Sequence, residues 1–168
     1  MTRRFTLLIV WCLLSGGLCE SAEPVVAHEF VYRKAAFEQC HASTIAEATD
    51  GTLVSAWFGG TREGRKDVSI WVSRRGRDGW TDPVKVADGV QSKTERFPCW
   101  NPVLFQPRSG PLMLFFKVGP SPRAWWGEWM VSDDAGRTWK KRQRLPGKGI
   151  GPVKNKPIQL ADGTIWCG

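Results

Sequence analysis

The sequence has 168 residues, of which 42% are hydrophobic and 24% are charged, and its formal net charge is +8. These proportions are those of a globular domain, and they exclude a disordered chain and an integral membrane bundle. The sequence contains ten tryptophans but one tyrosine. Most lie in short apolar runs or beside glycine, which favours sheets and sugar-facing surfaces over helical bundles.

The first 22 residues have the three-part layout of a secretory signal peptide. Two arginines precede an apolar run at 5–14 that is too short to span a bilayer, and small residues follow it. Cleavage is expected after Ser21 or Ala22, and lipidation at Cys19 is the weaker alternative. The sequence therefore predicts a secreted or periplasmic protein without a membrane span, in which a short lead-in at 23–37 precedes the main domain.

Three cysteines follow the signal, Cys40, Cys99 and Cys167, and they lie far apart without the spacing of metal ligands. In an oxidising compartment they are either small buried side chains or one disulfide with a spare thiol. We expect no metal and no cofactor. The basic charge favours anionic partners, which outside the cytoplasm means acidic glycans sooner than nucleic acid.

The chain repeats itself, with copies about 59 and then about 53 residues apart. The copies of one turn are DGTLVSAW at 50–57, SGPLMLFF at 109–116 and DGTIWC at 162–167. The segments SRRGRDGW (73–80) and SDDAGRTW (132–139) keep the 59-residue step, as do Cys40 and Cys99. Several features that share one period indicate repeated structural units.

Each unit is predicted to contain four short strands separated by Gly, Pro, Asp and Ser. The strands predicted for the first unit are 41–48, 51–58, 67–74 and 80–87. Those predicted for the second are 100–106, 111–118, 126–132 and 139–145. A third unit begins at Lys154 with two strands. A four-stranded sheet cannot bury both of its faces alone, so the sequence predicts an all-β chain of about two and a half blades packed as a β-propeller.

The segment at 132–139 is predicted to be the turn between the third and fourth strands of its unit. Gly136 supplies a positive φ, Ser132 and Asp134 bond the amides of the turn, and Trp139 packs between neighbouring sheets. With Thr138 these residues complete the Ser-x-Asp-x-Gly-x-Thr-Trp pattern of the Asp-box, or BNR repeat. The earlier copy at 73–80 lacks the aspartate. One such loop has too few ligands for calcium.

On this motif and its repetition, residues 38–168 resemble the sialidase (neuraminidase) family and its BNR-repeat relatives. The resemblance implies a six-bladed propeller about twice as long as this chain, which would then be an N-terminal portion that is inactive alone. It also implies a ligand site over the central channel, on the face made by the starts of the innermost strands and the loops between second and third strands.

That channel face is predicted to collect cations, amides and aromatic groups. The starts of the innermost strands supply His41, Trp100, Asn101, Lys154, Asn155 and Lys156. The loops after the second strands supply Arg62, Glu63, Arg65, Asp67, Lys117, Arg123, Trp125 and Trp126. The structural alternatives for these side chains are a buried histidine, a solvated loop charge and packing between blades. The turns of the opposite face carry charges that we expect to be solvated, such as Lys140, Lys141, Arg142 and Arg144.

The resemblance assigns roles to some of these residues. Sialidases bind the substrate carboxylate with arginines, use an aspartate of the first blade as acid/base, and attack through a tyrosine. Arg62 matches one such arginine, and Asp67 is the nearest match to the acid/base, with Glu63 as its competitor. His41 stands where another arginine is expected. The tyrosine and its glutamate belong to later blades.

Three functions fit the sequence. The first is an exported sialidase-like glycoside hydrolase that removes a terminal acidic sugar from a glycan. The second is a polysaccharide lyase on a similar propeller, in which His41 serves as a base or neutralises a uronate. The third is a carbohydrate-binding propeller without turnover.

Overall fold

The computed structural model describes residues 27–147 and 150–168, which contain strands and turns but no helix. The predicted signal peptide at 1–22 lies outside the described residues. The strands form two larger sheets and one hairpin, and every strand pairing is antiparallel. The all-β, blade-like architecture predicted from the repeat is confirmed, whereas the number of blades in a complete ring stays a prediction.

The first sheet follows the first repeat unit. Its strands are β1 (Gln39–Glu47), β2 (Leu53–Gly60), β3 (Ser69–Gly76), β4 (Gly79–Trp80) and β5 (Val84–Ala87). The first three pair in chain order, and both β4 and β5 pair with β3. The single fourth strand predicted at 80–87 is therefore divided, and the break contains Pro83, which has no backbone N–H to donate to a neighbouring strand.

The second sheet repeats this order. Its strands are β6 (Cys99–Phe105), β7 (Leu112–Val118), β8 (Trp126–Ser132) and β9 (Gln143–Arg144). The predicted fourth strand at 139–145 is reduced to the two residues of β9. The third unit contributes one hairpin, β10 (Ile158–Gln159) and β11 (Ile165–Trp166). Arg108, in the β6–β7 turn, holds this hairpin by donating its backbone N–H to the side chain of Gln159 at 2.9 Å.

The repeated Asp-Gly-Thr turns explain why the repeat is visible in the sequence. Asp50 Oδ1 accepts the backbone N–H of Thr52 at 3.0 Å, and Asp162 Oδ1 accepts that of Thr164 at 2.9 Å. The glycine between each pair has a positive φ, which side chains disfavour. Short local hydrogen bonds thus produce the same hairpin in the first and third units.

The core lies between the two larger sheets. Val54 and Phe58 of β2 pack in one buried cluster with Leu104 of β6 and Leu114 of β7. Strand β2 is buried along nearly its whole length because both of its faces are covered. Each fully buried side chain of this size contributes about 1.5–3 kcal/mol relative to exposure. Packing between sheets therefore holds together strands that would be marginal alone.

The Asp-box loop also joins the sheets. Ser132 Oγ accepts the N–H of Gly136 at 2.8 Å, and Asp134 accepts the N–H and the hydroxyl of Thr138 at 2.8 and 2.6 Å. Gly136 has φ of 80°. The loop accepts a hydrogen bond from Arg74 Nε of the first sheet through the carbonyl of Ala135, at 2.7 Å. The loop is a corner of its own blade and a contact with the preceding one.

The lead-in segment packs on the other face of the first sheet. The Tyr32 ring stacks on Trp57 with centroids 5.0 Å apart, and Phe37 lies 4.8 Å from Trp71. The Tyr32 hydroxyl donates to Cys40 Sγ at 3.0 Å, and burial together with this bond raises the pKa of Tyr32. These contacts cover the side of β2 and β3 that faces away from the second sheet.

The three cysteines of the described residues are free thiols. Cys40 and Cys167 are exposed, and Cys99 is buried. Burial raises the pKa of the Cys99 thiol, so it is uncharged and packs as a small apolar side chain. No disulfide joins the described cysteines, and only Cys99 is the small buried side chain that the first interpretation expects.

Candidate functional site

The channel face is the edge of the molecule formed by the starts of β1 and β6 with the β2–β3 loop (61–68) and the β7–β8 loop (119–125). It contains a cleft of about 180 Å³ beside the first sheet. The cleft is lined by Gln39, Cys40, His41, Phe58, Gly60, Glu63 and Val68. Two residues predicted from the sequence, His41 and Glu63, thus share one cavity.

A backbone irregularity shapes the channel end of each innermost strand. The pairing of β1 with β2 shifts between His41 and Thr44, and that of β6 with β7 shifts between Trp100 and Val103. Ala42 in the first shift has φ of 55°, and Asn101, at the equivalent position of the second, has φ of 40°. Bulges of this kind bend a strand and redirect its side chains. The repeat therefore places His41 and Trp100 equivalently, one on each blade.

His41 and Glu63 form the polar pair of the cleft. His41 Nδ1 lies 3.6 Å from Glu63 Oε2, and the two side chains keep 70% and 52% of their surface exposed. The His41 ring stands edge-on to Phe58, with centroids 5.6 Å apart. An accessible imidazole beside an accessible carboxylate can exchange a proton with a ligand, which is what general acid–base chemistry requires.

Asp67 holds the 61–68 loop in shape. Its Oδ2 accepts the N–H of Thr61 at 2.6 Å and the Thr61 hydroxyl at 2.8 Å. The backbone hydrogen bond is the largest cause that lowers the pKa of Asp67 below its usual value. A general acid needs a pKa near the working pH, and a lowered value opposes that role. In this geometry Asp67 is an anchor of the loop, and the acid/base roles of Asp67 and Glu63 stay predictions.

Arg62 and Arg65 occupy the exposed part of the same loop. Among residues 27–147 and 150–168, neither guanidinium forms an ion pair with a carboxylate. The loop closes on itself through the bonds from Arg65 N–H to the Arg62 carbonyl and from Val68 N–H to the Arg65 carbonyl, both 3.0 Å. Two exposed arginines therefore lie on either side of Glu63 along this loop.

Aromatic side chains extend the cleft toward the second sheet. Trp100 lies 6.3 Å from Phe58 and 5.9 Å from Trp125 between ring centroids. Trp100 is buried and its Nε1–H donates to the Gly119 carbonyl at 2.9 Å, whereas Trp125 is partly exposed. Trp125 is thus the aromatic surface of this set on which a sugar ring can stack.

Two predicted ligands of the second blade have partners within the protein. Trp126 donates Nε1–H to Glu128 at 2.8 Å, and the Arg144 guanidinium lies 4.4 Å from the centre of its ring. Lys117 is buried and donates to the carbonyls of Ile150 and Gly151 at 2.7 and 2.9 Å, and burial lowers its pKa. Trp126 therefore has its partners within the second blade, whereas Lys117 joins that blade to the segment that follows it, and their roles as ligands stay predictions.

The ligand residues predicted in the third unit also differ in whether they have partners within the protein. Lys156 Nζ donates to the Leu104 carbonyl at 2.9 Å and to Thr44 Oγ1 at 3.3 Å, so it joins the innermost strands of both sheets. Burial lowers the pKa of Lys156. Lys154 and Asn155 are exposed, as is Arg123 in the 119–125 loop. These three remain accessible on the described surface.

One expectation for the opposite face is wrong. Arg142 is not a solvated charge, because Nε lies 3.3 Å from Glu128 Oε2 and the guanidinium donates to the Asp88 and Val90 carbonyls. Arg144 is exposed, although its guanidinium also lies over the ring of Trp126. Lys140, by contrast, forms an exposed ion pair with Asp133 at 2.6 Å.

Sequence reasoning missed Thr61, Cys40 and Phe58. Thr61 anchors Asp67, while Cys40 and Phe58 line the cleft. Cys40 was accessible to prediction because it immediately precedes His41 at the start of β1. Phe58 was not, since a phenylalanine inside an apolar strand has the same pattern whether it faces the core or a cleft.

The family model described as "BNR repeat-like domain" matches residues 51–168. This chain belongs to the BNR repeat-like family. The match begins in the first Asp-Gly-Thr turn and includes both larger sheets except β1. No relative among curated proteins matches the sequence.

Two solved structures share the fold of this BNR repeat-like chain. A Hadza microbial sialidase, Hz136, superposes with a TM-score of 0.61 at 15% identity, over 75% of this chain and 31% of its own length. A protein of unknown function from Dyadobacter fermentans superposes with a TM-score of 0.58 at 15% identity, over 80% of this chain and 47% of its own. The chain therefore spans less than half of either structure.

Neither a metal site nor a membrane helix is found in the described part of the BNR repeat-like chain. No three His, Cys, Asp or Glu side chains there are grouped as metal ligands. No helix within the described ranges is long and apolar enough to cross a bilayer.

Proposed function

We propose that this chain is part of an exported glycoside hydrolase of sialidase type, which binds a terminal acidic sugar at the channel face. The observation that carries the proposal is the His41–Glu63 pair, 3.6 Å apart in a cleft beside Arg62. A sugar carboxylate and its glycosidic oxygen need a cation and a proton donor within one residue's reach. His41 and Glu63 of the cleft supply the proton-exchanging groups, and Arg62, the exposed residue before Glu63 in the loop, supplies the cation.

Arg62 is proposed to bind the sugar carboxylate. A guanidinium presents two parallel N–H donors that match the two oxygens of a carboxylate. Arg62 is exposed and forms no ion pair within the described residues, so binding does not require an internal contact to break. Trp125 is proposed to stack on the sugar ring.

Glu63 is proposed to exchange the proton with the glycosidic oxygen, and His41 to position it. We assign this role to Glu63 because the pKa of Asp67 is lowered by its bonds from Thr61. The nucleophile is expected, from the resemblance, on later blades. Activity is therefore proposed for the complete propeller, and binding for the surface described above.

A uronate lyase is the second candidate, and the contact between His41 and Glu63 is the observation that favours it. A carboxylate that orients an imidazole makes a suitable base for abstracting a proton next to a uronate carboxylate. The two functions differ in their product, because a lyase leaves an unsaturated sugar and a hydrolase does not.

The test is a titration of sialylated, uronate-containing and neutral trisaccharides, followed by the NMR signals of the tryptophan indoles. We expect the acidic sugars to bind and to shift the Trp125 signal. Glu63→Gln keeps the shape of the side chain and is expected to preserve binding while abolishing turnover in the complete protein. Equal binding of the neutral sugar would refute the acidic substrate, and full turnover by Glu63→Gln would refute the assigned proton donor.

Export is a separate part of the proposal, and it is supported by the layout of residues 1–22. N-terminal sequencing of protein recovered outside the cytoplasm is expected to begin at Ala22 or Glu23. Recovery of the chain only in the cytoplasm, starting at Met1, would contradict export.

A further inference from the structure

A second groove lies on the face opposite the channel, where the β1–β2 and β3–β4 turns of the first sheet meet the Asp-box loop of the second. Its volume is about 840 Å³, within the range of about 300–1,000 Å³ that is common for ligand sites. Four arginines line it, Arg74, Arg75, Arg77 and Arg137. We call it the Asp-box groove.

Arg74 and Arg137 approach this groove from different sheets. Arg74 lies in β3, where Nε is fixed by the carbonyl of Ala135 at 2.7 Å. Arg137 is exposed in the Asp-box loop and donates only weakly, to the Asp134 carbonyl at 3.4 Å. Burial lowers the pKa of Arg74, and the neighbouring charge of Arg137 lowers it further. The two cations therefore repel each other where the sheets meet.

Nearby carboxylates compensate the charge of this pair only in part, since Asp50 and Asp134 raise the pKa of Arg74 through space whereas Arg137 lowers it. Glu47, Asp50 and Asp78 line the same groove, but no ion pair joins any carboxylate to Arg74 or Arg137 within 27–147 and 150–168. Asp50 is occupied by the N–H of Thr52, and Arg75 is paired with Glu29. An oxyanion placed between Arg74 and Arg137 would relieve their repulsion and gain charge-assisted hydrogen bonds.

The rest of the groove suits a carbohydrate chain. A side-chain carbon added at Gly51, Gly76 or Gly79 would contact nothing within 4 Å, so the floor is open along the turns. Trp80 is half-buried in the wall, and Thr52 and Thr81 add hydroxyl groups. An apolar ring surface next to hydroxyls and guanidinium groups favours an anionic sugar over a bare inorganic ion.

We propose that the Asp-box groove binds an acidic polysaccharide through a carboxylate or sulfate held between Arg74 and Arg137. This site lies on the opposite face from the channel cleft, so it would hold the protein on a polyanionic glycan while leaving the cleft free.

The test is calorimetric titration of the protein with three tetrasaccharides: a uronate chain, a sulfated neutral chain and an unmodified neutral chain. Arg137→Gln removes one cation of the pair, and Arg65→Gln is its matched control on the channel face. We expect Arg137→Gln to weaken binding of an anionic tetrasaccharide about tenfold, which is the effect of losing one charge-assisted bond. Arg65→Gln is expected to leave this site unchanged. Comparison of the uronate and sulfated chains identifies which oxyanion is preferred.

A second readout locates the site independently of affinity. The indole N–H signal of Trp80 is expected to shift when the anionic tetrasaccharide is added to wild type and not when it is added to Arg137→Gln. Arg137→Lys keeps the charge without the planar fork and is expected to lose most of the binding. Thermal melting of each variant checks that the loop remains folded.

Three results would overturn the proposal. Unchanged affinity and an unchanged Trp80 shift in Arg137→Gln would remove the groove as a site. If Arg62→Lys lost all binding while Arg137→Gln kept wild-type binding, every anionic glycan would bind in the channel cleft. That result refutes the groove and leaves the proposed function intact. Tighter binding of single-stranded DNA than of either anionic tetrasaccharide would refute a glycan partner.

Discussion

Arg142 and Glu128 form an ion pair that ties the second sheet to the segment connecting it with the first. Arg142 Nε lies 3.3 Å from Glu128 Oε2, and the Glu128 side chain is only 5% exposed. The same guanidinium donates to the carbonyls of Asp88 and Val90. One arginine thus neutralises a buried carboxylate and satisfies backbone acceptors more than fifty residues away in sequence.

Replacing Arg142 by alanine is expected to destabilise the fold by about 2–4 kcal/mol, because it leaves the buried charge of Glu128 without its partner. Lys141→Ala, one residue earlier and exposed, is the matched control and is expected to change stability by less than about 0.5 kcal/mol. Urea denaturation of both variants measures the difference. Equal stabilities would mean that Arg142 is solvated in solution.

Gly60 is expected to tolerate no side chain. A Cβ atom there would lie 2.8 Å from the Val68 Cα and 3.0 Å from Asp67 Oδ2, so the base of the 61–68 loop would have to move. Gly60→Ala should cost about 1–3 kcal/mol. Gly76→Ala, at the end of β3 where the added carbon contacts nothing within 4 Å, is the control and should be close to neutral. Thermal melting compares the two, and similar melting temperatures would contradict the close approach.

The Asp-box is expected to make stability depend on acid pH. Hydrogen bonds from Thr138 are the main cause that lowers the pKa of Asp134 below its ordinary value of about 3.9. A carboxylate whose pKa is depressed by folding stabilises the folded state at pH values above the unfolded pKa. That stabilisation is lost as the pH falls toward the folded pKa.

Asp134→Asn is therefore expected to melt at a lower temperature than wild type at pH 7, with a difference that shrinks as the pH falls below about 4. Asp133→Asn is the neighbouring control, since Asp133 makes only an exposed ion pair with Lys140. Melting curves across this pH range decide the matter. A difference that grows in acid would show that Asp134 is not held as the ionised form.

Arg62→Lys is expected to weaken binding of an acidic sugar nearly as much as Arg62→Ala, by about 1.5–3 kcal/mol, because lysine keeps the charge but loses the two parallel donors. Lys141→Ala is the control and should have no effect, because this exposed lysine belongs to the turns of the opposite face. Titration with sialylated and uronate sugars provides the measurement. Wild-type affinity in Arg62→Lys would reduce Arg62 to a solvated loop charge.

The repeated strands and turns could be predicted from the sequence because their causes are local. In an Asp-Gly-Thr hairpin or an Asp-box, side chains form hydrogen bonds with backbone atoms only a few residues away. Because these bonds are local, the same short sequence forms the same turn in each unit. Proximity of His41 to the 61–68 loop also follows from the blade topology, since β1 and β2 are neighbours whose ends meet at one edge.

The roles of the long charged side chains could not be predicted in this way. Three residues are of types typical of surface or ligand-binding positions: Lys117, Lys156 and Arg142. In the structure each of them donates to backbone carbonyls of another segment. The type of a charged residue determines which hydrogen bonds its side chain can donate. The partner of that side chain depends on which acceptors the packing brings within reach. The strands, their turns and the face that carries the cleft follow from local patterns of residues. The cations that remain available to a ligand follow from the folded structure, because their availability depends on contacts between residues distant in the chain.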